Sequence, residues 1–233
     1  MTHFKKHAIS AILAAVMVVV LFAPAEMAAA RPTLDGQQTV ADGQWKYVYN
    51  GGSVSVMGYV DKPSGDLVIP SELDGYTVTG IADYAFSYCD ELTSVTIPDS
   101  VIDVGDCAFA GCTGLTQVSF PDDLTSIGWA AFSGCSSLTN VVIPSGVTSI
   151  EDLTFKRCTS LTEIIFPEGL TFIGAEAFFG CESLTSVTIP ESVNRIDAYA
   201  FGFCPSLTNI NIPDSLAHLL DSETFSLENP IGP

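Results

Sequence analysis

From Leu92 to Leu207 the chain repeats one arrangement of apolar and polar positions every 23 residues. Phe86, Phe109, Phe132, Phe155, Phe178 and Phe201 keep that spacing, as do Cys89, Cys112, Cys135, Cys158, Cys181 and Cys204. Leu92 through Leu207 and Pro98 through Pro213 add two more columns of six identical residues. Self-similarity of this kind outranks local propensity as a guide to architecture. In Leu92-Thr-Ser-Val95-Thr-Ile97 the final alternation predicts a short strand, with Val95 and Ile97 on one face and Thr96 on the other. Pro98 lacks the N–H that a ladder uses and ends the strand. Ile127-Gly-Trp-Ala-Ala131-Phe132 spaces apolar side chains four and five apart, which predicts one turn of α- or 3-10 helix presenting Ile127, Ala131 and Phe132 inward. One unit cannot bury its own apolar side. Stacked units bury a continuous core, with equivalent strands running parallel about 4.8 Å apart. The expected architecture is a solenoid.

The unit C-x-x-L-T-x-V-x-I-P, then about five residues, then I-G-x-x-A-F-x-x-C, closely resembles the BspA-like leucine-rich repeats of bacterial surface and secreted proteins. The resemblance covers about residues 67–225. It implies a leucine-rich-repeat solenoid with a parallel β-sheet on the concave side and short helical or 3-10 turns on the other. The residues before it also look like the family's usual lead-in. Trp45-Lys-Tyr-Val-Tyr49 and Ser53-Val-Ser-Val-Met57 flank Asn50-Gly51-Gly52, a hairpin signal. Leu67-Val-Ile-Pro70 starts an irregular first coil, where Pro70 to Phe86 is 16 residues against 11 in later coils. Residues 31–66 read as a linker and a β-hairpin that, with this coil, caps the N-terminal end of the core. At the other end Pro213 to Phe225 is 12 residues, and Glu228 stands where the next Cys would be. Residues 226–233 read as a tail that either folds over the last coil or leaves that edge exposed. No wall-sorting signal, second domain or membrane segment is legible there. Longer members of the family often carry such attachments, which puts surface anchoring of this chain in question.

The first thirty residues read differently. Lys5 and Lys6 precede an apolar run from Ala8 to Ala23, followed by Ala28-Ala29-Ala30, the pattern of a cleaved signal peptide. The run is shorter than the roughly 20 residues that span a bilayer; a retained anchor is the alternative. Export to a secreted or cell-surface location follows. Across 233 residues, 8 Lys+Arg face 27 Asp+Glu, a net charge of −19. A balance this acidic repels phosphate backbones and anionic headgroups, so nucleic acid and anionic membrane are excluded as partners. With 47% hydrophobic residues a packed structure is expected.

The ladders carry the candidate chemistry. Seven Cys contain no C-x-x-C pair, which argues against the common zinc frameworks. Neighbouring ladder positions sit slightly too far apart and too parallel for disulfides, so buried free thiols near turn carbonyls are expected. Cys107 lies off the ladder, aligned with Tyr84, Ala130, Leu153, Glu176 and Tyr199. An acidic column follows the prolines at Asp99, Asp122, Glu168, Glu191 and Asp214, with Ser145 interrupting it. It reads either as a solvated face or as a surface for Ca²⁺ or a basic partner. The Thr93–Thr208 column suits exposed strand positions.

Two outward columns vary while the framework stays fixed, which is how a repeat array diversifies a binding face. One is Ser94, Gln117, Asn140, Glu163, Ser186 and Asn209; the other is Thr96, Ser119, Val142, Ile165, Thr188 and Asn211. These twelve are the candidate partner-binding residues, centred on the apolar step Val142–Ile165 flanked by Asn140 and Glu163. Ordinary strand propensity accounts for them equally well. Trp129, Phe179 and Phe203 on the turn side form a rival surface. Catalysis finds little support, because His218 has no partner constellation and no Ser lies in G-x-S-x-G. No cofactor is expected. The resemblance implies adhesion, or interaction with host or matrix proteins or other cells, by a monomer using its concave sheet. A structural role in envelope assembly is the alternative.

Overall fold

Turn chemistry at Asn50-Gly51-Gly52 folds the N-terminal segment back on itself. A computed structural model describes residues 38–41, 44–219 and 223–225, all within one unit, Asp35–Pro233. The signal-peptide segment 1–30 and the tail 226–233 lie outside the described residues. Strands β1 (Gln38–Ala41), β2 (Trp45–Asn50) and β3 (Ser53–Tyr59) form an antiparallel ribbon, with a bulge between Lys46 and Tyr47. The β2–β3 pair is the hairpin legible in the sequence; β1 carries no comparable signal.

Two strand layers then alternate along the chain. The first comprises β4 (Gly65–Val68), β7 (Leu92–Thr96), β9 (Gln117–Ser119), β11 (Asn140–Val142), β13 (Glu163–Ile165), β15 (Ser186–Thr188) and β17 (Asn209–Asn211). The second starts at β6 (Tyr76–Ile81), which pairs antiparallel with β5 (Glu72–Leu73). It continues with the two-residue strands β8 (Asp103–Val104), β10 (Ser126–Ile127), β12 (Ser149–Ile150), β14 (Phe172–Ile173) and β16 (Arg195–Ile196). Equivalent strands pair in parallel, and the ribbon joins the second layer where β3 pairs with β6.

Between the layers runs a stack of rings. Phe86, Phe109, Phe132, Phe155, Phe178, Phe201 and Phe225 lie within 12° of parallel, with centroids 5.1–5.6 Å apart. Trp45 of the ribbon meets Phe86 edge-on at 6.4 Å and covers one end. Phe225 covers the other end, despite the extra residue in its spacing.

The run after each second-layer strand takes the 3-10 form of the predicted turn and not the α form. Ala131 N–H donates to Gly128 C=O and Cys135 N–H to Phe132 C=O, as in a 3-10 turn. The intervening N–H groups of Ala130, Phe132 and Gly134 instead donate to Asp152, Thr154 and Lys156 of the next coil. Left-handed residues at Ala130 (φ 52°) and Gly134 (φ 76°) aim them there. The same φ is held by Tyr84, Cys107, Leu153, Glu176 and Tyr199. Such backbone costs a non-glycine residue on the order of 1 kcal/mol, and the next coil's carbonyl offsets it. Among the described residues, continuous 3-10 helix occurs only at Asp214–Leu219 and Glu223–Phe225.

The ladders are interrupted, and the sequence says where. In the first layer Ile97, Ile143 and Ile189 donate N–H to Ser119, Ile165 and Asn211 of the next coil. Phe120 and Phe166 occupy the same column and turn edge-on against Phe132 (5.5 Å) and Phe178 (5.6 Å). Among the described residues neither donates the corresponding bond, and β9 does not pair with β11, nor β13 with β15. The second layer breaks once, between β10 and β12. Elsewhere Asp83, Asp106 and Asp152 accept the N–H of Asp106, Trp129 and Ala175 one coil on. Opposite each of these carboxylates stands a glycine, because a Cβ on Gly128 would lie 2.6 Å from Asp106 Oδ1. At the broken step the pattern lapses to Trp129 and Glu151; it lapses again to Ala175 and Asp197, where β14 and β16 nonetheless stay paired. Both layers therefore part between the same two coils, where the ring spacing also reaches 5.6 Å. At this seam both strand layers are interrupted, while the turn N–H groups of Ala130, Phe132 and Gly134 still bond across it.

Candidate functional site

Alternation puts one side of the first layer into the core and the other into solvent. Val95, Val141, Ile164 and Val187 are buried, while eleven of the twelve candidate residues are exposed and Ser94 is half-buried. Register places them side by side: Ser94 on Gln117, Thr96 on Ser119, Asn140 on Glu163, Val142 on Ile165, Ser186 on Asn209 and Thr188 on Asn211. Val142 and Ile165, 60% and 48% exposed, form one apolar step between Ser119 and Thr188. The twelve thus share one face in three paired groups, separated by the two ladder breaks.

Two residues of this face were not anticipated. Asp66 and Val68 of β4 continue the two columns beside Ser94 and Thr96. Asp66 accepts hydrogen bonds from Ser94 and Thr93, which hold its carboxyl below the usual range. Their signal lay in the irregular first coil, where Leu67-Val-Ile-Pro70 matches the repeat ending. At the seam a cleft of about 600 Å³ opens onto the same face, between Gln117–Phe120 on one side and Thr139, Asn140, Val142 and Pro144 on the other, with Asp122 at its proline end. The Phe/Ile alternation before the prolines was its available signal.

The cysteine ladder is structural. Cys112, Cys135, Cys158, Cys181 and Cys204 donate their thiols to the carbonyls of Phe86, Phe109, Phe132, Phe155 and Phe178, at 3.1–3.4 Å. All seven cysteines are free and buried. Burial pushes the Cys112 thiol up to about 12 and Cys204 to about 11, with Cys135, Cys158 and Cys181 well above their ordinary range. Among the described residues no three His, Cys, Asp or Glu side chains gather as a metal site, and no helix is long and apolar enough to cross a membrane. The rival turn-side surface is divided. Phe179 is buried under Lys156 and stacked on Phe203, whereas Trp129 and Phe203 are exposed.

The repeat profile described as BspA type Leucine rich repeat region matches six copies over residues 79–204 and 149–230, more than half of the chain. The chain belongs to the BspA-type leucine-rich repeat family. Solved structures agree with this membership. A leucine-rich repeat protein of T. pallidum is 32% identical with a TM-score of 0.71, over 76% of this chain and 84% of that one. A leucine rich cell surface protein of Faecalibacterium prausnitzii A2-165 is 29% identical with a TM-score of 0.60, over 78% and 55%. Pneumococcal vaccine antigen PcpA, at 23% identity and a TM-score of 0.62 over 78% and 50%, shares the fold. This chain spans about half the length of the last two. No curated protein matches its sequence. In BspA-type terms, the interrupted first layer is where this chain departs from its own consensus.

Proposed function

We propose that this BspA-type chain is a secreted or surface-exposed interaction protein whose outward strand face binds a protein partner, as an adhesin does. The observation that carries the reading is the in-register apolar step Val142–Ile165, set in a face whose side chains vary while the framework repeats. Burying such a step against a partner removes apolar area from water, and the flanking Asn140, Glu163, Ser186 and Asn209 supply hydrogen bonds. The face performs no chemistry in this reading, and BspA-type repeats are typically non-catalytic. The description of the F. prausnitzii relative as a cell surface protein supports the location.

The test is a binding screen of the purified chain against extracellular-matrix proteins, mucins and glycans, beside a Val142→Asp/Ile165→Asp variant with an unchanged circular dichroism spectrum. A protein bound by the native chain and lost by the variant is expected. Equal binding by both would move the site to the turn-side aromatics. A second reading, assembly within an envelope, is favoured by the last coil. There Leu207, Ile210 and Ile212 are half-buried, whereas Leu184, Val187 and Ile189 are 0–3% exposed. Particle growth with concentration in size exclusion would support assembly; a constant monomer would support the adhesin.

A further inference from the structure

The seam makes one place on the strand face unlike the rest. Neighbouring strands close most of the surface; the β9–β11 break, unlike that between β13 and β15, coincides with a break in the second layer, and there a cleft gives the face depth. Val118, Phe120 and Val142 supply apolar wall, Gln117 and Asn140 supply amides, and Asp122 is the one charged group lining it. The cleft does not admit an added strand, because Thr139 N–H still reaches Thr116 C=O at 3.4 Å and holds the two coils together at its base. It suits an inserted side chain.

Charge selects which side chain. The described Lys and Arg residues are Lys46, Lys62, Lys156, Arg157 and Arg195, and none belongs to the outward columns or the proline-end rim. That rim carries Asp99, Asp122, Glu168, Glu191 and Asp214, all exposed. An anionic segment is repelled along the whole edge. A lysine or arginine lays its methylene stem on apolar walls and keeps its cation at the mouth, where a carboxylate waits. We propose that the seam cleft is the anchoring subsite of the strand face and takes a Lys or Arg side chain from an extended basic segment of the partner protein. The inference rests on the strand-face reading above and names the partner's chemistry.

Phe120→Ile tests it, because isoleucine is the residue that Ile97, Ile143 and Ile189 use where the ladder is closed. The substitution is expected to restore the β9–β11 bond and shut the cleft without harming the fold. Slower amide exchange at position 120 verifies the closure. The probe is a synthetic alternating Lys-Val peptide, with a Glu-Val peptide as control, followed by fluorescence anisotropy at low and high salt. The native chain binds Lys-Val and not Glu-Val. Phe120→Ile weakens binding by about tenfold or more, the weight of one buried side chain. Asp122→Asn weakens it by about fivefold at low salt and flattens the salt dependence. Phe166→Ile, which closes the other break, leaves binding unchanged. Equal binding to a closed Phe120→Ile chain, equal binding of both peptides, or no binding of Lys-Val by the native chain would each overturn the proposal. So would displacement of Lys-Val by a neutral glycan with the same sensitivity to Phe120→Ile, which would assign the cleft to carbohydrate. If a screened partner is lost by Val142→Asp/Ile165→Asp but kept by Phe120→Ile, the subsite fails while the strand-face reading stands. Indifference to the double variant ends the strand-face reading itself.

Discussion

Removing one ring from the middle of the stack should do more than destabilise it. Phe155 is fully buried and stacks on Phe132 at 5.6 Å and Phe178 at 5.5 Å. A buried Phe→Ala change costs about 3–5 kcal/mol through lost transfer energy and the cavity left behind. Two aromatic pairs, each worth about 0.5–1.5 kcal/mol, place Phe155→Ala toward the upper end of that range. Each coil touches only its neighbours, so the gap also weakens the coupling between the two halves. Urea unfolding followed by far-UV circular dichroism should then show a lower midpoint and a broadened or split transition, with a smaller apparent m. Phe225→Ala is the comparison: that ring is half-buried and has one stacking partner, Phe201, at 5.3 Å. Its loss should cost about 1–2 kcal/mol with cooperativity intact. Equal costs for the two variants, or a loss below about 1 kcal/mol at Phe155, would refute the view that the ring stack couples the coils.

Other consequences can be measured independently. The five ladder thiols that donate to carbonyls are held protonated in the fold above their ordinary value of 9.0, so unfolded chains ionise first as pH rises. Stability is therefore full below about pH 9 and falls above it; the fall contributed by Cys204 ends near 11 and that by Cys112 near 12, and each thiol removes up to about 1.4 kcal/mol per pH unit within its window. A melting temperature that stays flat from neutral pH to pH 10.5, or one whose fall is not lessened by Cys158→Ala, would contradict this. Gly128→Ala should cost about 1–3 kcal/mol, because the new Cβ would lie 2.6 Å from Asp106 Oδ1. Asp197→Ala, in the same column but opposite Ala175, should cost under about 1 kcal/mol, the loss of its exposed pair with Arg195. Hydrogen exchange should be faster at Phe120, Thr148 and Glu151, on the seam, than at Ile143, Thr171 and Gly174, whose N–H groups bond to the neighbouring coil.

Periodicity made the stack legible, because each repeated residue answers a repeated contact. The Phe, Cys, Leu and Pro columns locate the ring stack, the thiol–carbonyl bonds and the strand ends without any structure. The outward columns were legible for the same reason: alternation around Val95, Val141 and Ile164 leaves their neighbours no other direction. What periodicity conceals is the lapse. Phe120 in an isoleucine column looks like a conservative change, yet its ring turns onto Phe132 and leaves a ladder bond unmade. The Asp-to-Gly pairing between coils was also written in the sequence, as Asp83 with Gly105, Asp106 with Gly128 and Asp152 with Gly174. It relates residues 22 apart instead of 23, so a search at the repeat period passes over it. The predicted turn is present in its 3-10 form and not the α form, and it stays short for a backbone reason. Left-handed residues at Tyr84, Leu153 and Glu176 are bulky, and nothing in their chemistry announces that φ. The next coil's carbonyls impose it.

The interface proposed for partners is the outward strand face and not the turns. Hydrogen-exchange footprinting of the chain, free and saturated with a protein captured in the screen, tests it most directly. Slowed exchange is expected, confined to residues 117–120, 140–143 and 163–166, with the turn segments unchanged. Protection centred on Trp129 and the Phe179–Phe203 pair, with the strands unaffected, would contradict it.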